Sequence, residues 1–155
     1  MHTPQPGETP KERADRELVE LLNELRVVLP GITVLFGFLL AVPFAASWKR
    51  VTDFQQGVFL VAFLATGVSI VFLVALTSYH RLRFREADKE HLVRLGNVLG
   101  ILGVTSFGVA LDAVVLLVTD VVTSSGFAAG AAAGAAALVL GLWFGLPLWD
   151  RARRR

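Results

Sequence analysis

The chain has 155 residues, is 54% hydrophobic and 18% charged, and has a mean hydropathy of +0.61. A soluble domain is about 45–50% apolar and about 25% charged, so a soluble globular fold and a disordered chain are both excluded. There is no cysteine and the formal net charge is only +2, which excludes disulfides, thiolate metal sites and cysteine chemistry.

Residues 1–8 are polar, contain Pro4, Pro6 and Gly7, and are read as disordered. A helix start follows: Thr9 can cap, Pro10 suits the first helical position, and Glu12 stands three residues after the cap. Over residues 9–26, Leu18, Leu21, Leu22 and Leu25, continued by Val28, recur at helical spacing, while Arg13, Arg16, Glu17, Glu20 and Glu24 take the other faces. Arg13–Glu17 and Arg16–Glu20 are i,i+4 pairs. The pattern predicts an amphipathic helix on the membrane surface or docked on the other helices. The segment has no apolar h-region, so no cleaved signal is expected and the first apolar run is the insertion signal.

Four apolar runs of bilayer-crossing length follow, over residues 27–47, 57–79, 95–118 and 127–148. They make residues 27–149 a four-helix transmembrane domain. Pro30 and Gly31 at the first entrance predict a bend between surface helix and span. Pro43 lies near the far end of that span, and Trp48 sits where an interfacial aromatic belongs. Residues 80–94 read as a charged loop and residues 150–155 as a basic tail. Thirteen of the fifteen Lys and Arg fall in the N-terminal segment, the second loop and the tail; Lys49 and Arg50 alone lie in the others. The positive-inside rule then predicts both termini in the cytoplasm, with the bacterial inner membrane as the location.

Several blocks carry a family resemblance: ERADRELVELLNELRV from Glu12, ITVLFGFLLAVPF from Ile32, DFQQGVF from Asp53 and YHRLRF from Tyr79. Over roughly residues 8–122 the chain resembles a family of small actinobacterial multi-span membrane proteins of unknown function. Members are sometimes labelled sodium:proton antiporter, and the resemblance implies no activity beyond that label.

Among individual residues Asp112 leads. A carboxylate at bilayer depth costs about 2.5–3.5 kcal/mol to insert, and the apolar remainder of its span covers that cost. It is a proton or cation site, a neutral or hydrogen-bonded Asp held by Thr66, Ser69, Ser106 or a water, or a carboxylate high enough in the span to reach interfacial water. His80, beside Tyr79 at the end of span two, could accept a proton at an entrance or be a solvated flank. Asp112 and His80 are expected towards opposite membrane faces, so a relay would need Thr105, Ser106 or water between them.

Glycine spacing is the third signal. Gly96, Gly100 and Gly108 stand on one i+4 ladder that Asp112 continues, and Gly130 and Gly134 lie in an alanine-rich span four. Small residues at this spacing let helices approach closely, either between spans three and four or across an oligomer seam. The histidines, His2, His80 and His91, are too scattered for a zinc site. No phosphate loop, nucleophile elbow or paired catalytic carboxylates appear. No enzyme activity, cofactor, metal or nucleic-acid partner is therefore expected.

The residues point to an all-α integral membrane protein of four transmembrane helices plus an N-terminal amphipathic helix. Its expected role is that of a small structural or accessory protein, packing through small-residue faces with the bilayer, a second copy or a larger complex. The alternative is a proton-coupled cation transporter or channel that uses Asp112 within an oligomer.

Overall fold

The computed structural model describes residues 9–83, 89–123 and 125–153, with some helical side chains left out. Helix α1 spans Pro10–Ala41, α2 Asp53–Arg83, α3 Lys89–Val122 and α4 Ser125–Val139. A π-helical segment, Leu140–Gly145, then leads into α5, Leu146–Arg153. Four stretches are long and apolar enough to cross a bilayer: Asn23–Phe44, Asp53–Ala75, Arg94–Val122 and Gly126–Asp150. By length and composition the chain is a multi-pass, all-α membrane protein. The region predicted to be disordered, residues 1–8, lies outside the described residues.

The cap of α1 forms as its spacing predicts. Glu12 N–H donates to Thr9 Oγ1 at 3.3 Å, and Thr9 N–H donates back to Glu12 Oε2 at 2.9 Å. Arg16 pairs with Glu20 at 3.3 Å; the side chains of Arg13 and Glu17 lie outside the description.

The separate amphipathic helix requires correction. One unbroken helix of 32 residues carries both the charged segment and the first span, with Pro30 inside it. Proline deprives Arg26 O of its helical donor. The damage stays local because Thr33 Oγ1 donates to both Leu29 O (3.0 Å) and Pro30 O (2.9 Å), tying the next turn together.

Tertiary packing also supports α1 on both sides of Pro30. Leu25, Ile32 and Leu39 are buried and seven residues apart, the interval of a left-handed helix seam. Leu25 and Ile32 join Leu73 of α2 in one core cluster, and Leu39 joins Phe59, Ala62 and Ala113 in the other. Trp48 caps the second cluster edge-on to Phe59, with centroids 4.9 Å apart. Phe63 continues the stack to Phe36 at 5.1 Å.

The charged loop of residues 80–94 is shorter than its composition suggests. Helix α2 runs on to Arg83 and α3 begins at Lys89, because Arg and Lys are good helix formers once a span has nucleated the helix. The basic tail likewise continues α5 as far as Arg153.

The helices alternate up and down. Helices α2 and α3 form the closest pair, and α1 leans on both. Helix α4 packs on α3 through buried Ala128 and Ala132. Among the described residues α1 and α4 do not pack on each other.

Candidate functional site

Helix α3 positions the residues of interest, because it is packed by every other span. Where α2 crosses it, Ser69 is fully buried and its Oγ donates to Gly103 O at 2.8 Å. A Cβ on Gly103 would stand 2.6 Å from Leu73 Cδ2. Where α4 crosses it, a Cβ on Gly108 would stand 2.9 Å from Val139 Cγ1 and 3.4 Å from Trp143 Cζ3. Gly103 and Gly108 thus each sit at a close helix approach.

Asp112 follows Gly108 by one turn, on the side of α3 that meets α4. Its Oδ1 is buried without a hydrogen-bond partner. The hydroxyls that could have held it are committed elsewhere. Thr66 Oγ1 donates to Ala62 O at 2.7 Å, Ser69 to Gly103 O, and Ser106 Oγ to Leu102 O at 2.9 Å. Thr105 likewise donates to Ile101 O at 2.7 Å. Thr66, Thr105 and Ser106 satisfy themselves on the carbonyl four residues back, as hydroxyls in apolar helices do, and Ser69 does so on the neighbouring helix. Among the described residues Asp112 Oδ1 alone is a buried side-chain oxygen or nitrogen with no partner.

His80 lies in the last turn of α2, and its side chain lies outside the description. From the level where Ser69 meets Gly103, His80 and Asp112 lie in opposite directions, separated by about 30 Å of helix rise. The structure does not bring them together.

The glycines fall into two groups. Gly96 is buried, and Gly108 is at the α4 crossing. Around a Cβ on Gly100, Gly130 or Gly134 there is nothing within 4 Å. Gly103, the tightest position, lies off the i+4 ladder that the sequence draws attention to. Its signal would have been the buried Ser69 and Leu73 opposite it, which only the pairing of α2 with α3 reveals.

Two further features are not apparent from the sequence. At the end of the bundle away from the termini, Gln55 closes a cap with Thr52: its N–H donates to Thr52 Oγ1 at 3.2 Å, and its Oε1 accepts from Thr52 N–H at 3.1 Å. Its Nε2 remains free to donate to Asp120 Oδ2 at 2.9 Å, joining the start of α2 to the end of α3. At the other end, a crevice of about 260 Å³ lies between α1 and the π-helical segment. Glu24, Leu25 and Val28 form one wall, Trp143 and Phe144 the other, and Asn97, Gly100 and Val104 of α3 the floor. Residues 97, 101, 104, 108 and 112 share one face of α3, so the crevice and Asp112 lie along a single line with Trp143 over Gly108 between them.

Among the described residues no three His, Asp or Glu side chains come close enough to hold a metal ion.

No curated protein and no solved structure matches the chain. A family profile does, across residues 7–147, so the chain belongs to the family of unknown function DUF6328.

Proposed function

We propose that this protein conducts or exchanges protons, or protons against a small cation, across the membrane its four helices span, with Asp112 as the ion-carrying group. One observation carries the reading: Asp112 Oδ1 is buried and, among the described residues, has no hydrogen-bond partner, while the hydroxyls of Thr66, Ser69 and Ser106 donate to backbone carbonyls. An unsatisfied buried polar atom costs about 1–3 kcal/mol, and intramembrane ionisable groups mark ion pathways. The charge asymmetry of the segments outside the spans supports a bacterial inner membrane with both termini in the cytoplasm.

Ion flux in proteoliposomes tests the reading. With an imposed sodium or potassium gradient and a pH dye inside, wild-type protein is expected to move protons well above empty liposomes. Asp112→Asn is expected to fall to the empty-liposome level with its folding intact. Wild-type flux no higher than the blank, or an Asp112→Asn variant as fast as wild type, would overturn it.

A second reading, an accessory protein that packs laterally, has its own support. Gly126, Gly130 and Gly134 leave open space along α4, an edge on which another helix could approach closely. That reading expects no flux in the same assay, a silent Asp112→Asn, and cross-linking of neighbouring molecules along α4.

A further inference from the structure

The crevice between α1 and the π-helical segment has a composition that selects its occupant. Glu24 is the sole charged residue lining it, and Asn97 adds one neutral amide. The remainder is aliphatic or aromatic: Leu25, Val28, Leu73, Ile101, Val104, Trp143 and Phe144, with Gly100 bare in the floor. Among the described residues Glu24 is exposed and has no ion-pair partner. Arg26 and Arg94 are exposed nearby but do not line the crevice.

The aromatic wall is built, not incidental. An α-helix would not hold the geometry of Leu140–Gly145, where Leu146 N–H reaches back five residues to Gly141 O. Such single-turn π segments cluster at functional sites. Here it sets Trp143 face to face with Phe107, with centroids 6.3 Å apart, over the bare backbone of Gly108.

We propose that this crevice binds a lipophilic organic cation: a quaternary or protonated amine bearing an aromatic or alkyl group. Its charge lies towards Glu24 and its apolar part lies against the aromatic wall of Trp143 and Phe144. One carboxylate and one amide leave most of an inorganic cation's shell unfilled, whereas the apolar walls match the substituents of an organic cation. An anion is opposed by Glu24, and a neutral acyl chain makes no use of it. The crevice begins at the edge of the candidate spans, since Asn23 opens the first and Arg94 the third. An amphiphilic cation already concentrates at that depth of a bilayer.

The inference is independent of Asp112, and the two fail separately. Full-length protein in zwitterionic-lipid nanodiscs would be titrated with benzyltriethylammonium, read by calorimetry against empty nanodiscs. Saturable binding is expected, with benzenesulfonate, an anion of similar size, showing none at tenfold higher concentration. Glu24→Gln, an exposed change that leaves folding unaffected, is expected to weaken binding at least tenfold. Gly100→Leu, filling the open floor, is expected to abolish it, and Asp112→Asn to leave it within threefold. No saturable binding, equal binding of the anion, or an unchanged Glu24→Gln affinity would overturn the proposal. So would an Asp112→Asn variant that loses binding, since the site would then lie elsewhere on α3.

Discussion

Gly103→Leu is expected to prevent the bundle from assembling, read as loss of a monodisperse species in detergent and of a cooperative thermal transition. The reason is local and severe. A first side-chain carbon at residue 103 would meet Leu73 Cδ2 at 2.6 Å and Leu73 Cγ at 2.7 Å. Leu73 is 1% exposed and clustered with Leu25 and Ile32, so a bulky side chain at residue 103 would have to displace that cluster. Separating the helices instead would break the Ser69–Gly103 hydrogen bond. Gly103→Ala makes the milder case: overpacking a close-packed site by one carbon costs about 1–3 kcal/mol. Leu73→Ala in the same chain should recover part of that loss, a coupling that contacting residues show and distant ones do not. Gly100→Ala, with nothing within 4 Å of its Cβ, serves as the control and is expected to change stability by less than about 0.5 kcal/mol. A neutral Gly103→Ala would show that α2 and α3 do not cross where described.

Asp112→Val is expected to raise stability while ending transport. Valine removes the buried Oδ1 that has no partner and adds no polar atom in its place. Relieving an unsatisfied buried group is worth about 1–3 kcal/mol, which should appear as a higher unfolding midpoint in detergent. Gains of this kind at functional positions are the familiar opposition between stability and activity. A lower midpoint would mean that the carboxylate holds the α3–α4 seam together, and Asp112 would then be structural.

The four spans were legible in the sequence because a bilayer demands one property, about twenty apolar residues in a row, and the chain meets it four times. The helix cap at Thr9 was legible for the same reason, since a cap is chemistry within four residues. The continuity of α1 was not. Pro30 and Gly31 are breakers by local rules, and what overrides them is the seam of Leu25, Ile32 and Leu39 against α2. Asp112 stood out by its cost alone, but whether a hydroxyl would reach it depended on where Thr66, Ser69 and Ser106 point. Each turned to its own or a neighbouring backbone. Gly103 was hidden because close approach is a property of two helices, and a glycine ladder describes one. Gln55 and Asp120 stand 65 residues apart, and no spacing rule joins them. The π-helical segment LGLWFG carries no local mark that separates it from the apolar helix around it.

That segment gives the last span a phase of its own. A π turn holds one residue more than the helix on either side needs, so everything after it is rotated by about 100° relative to an uninterrupted α-helix. Deleting any single residue between 140 and 145 would let the turn relax to ordinary α geometry. The spans would stay intact and hydropathy would barely change. Yet Trp149 and Arg153, whose guanidinium lies 5.0 Å from the Trp149 ring centroid, would swing to another side of the molecule, and the aromatic wall would turn away from Glu24. Length in this helix is therefore a specification in its own right: variants of DUF6328 that differ by one residue here would share a topology and present different surfaces.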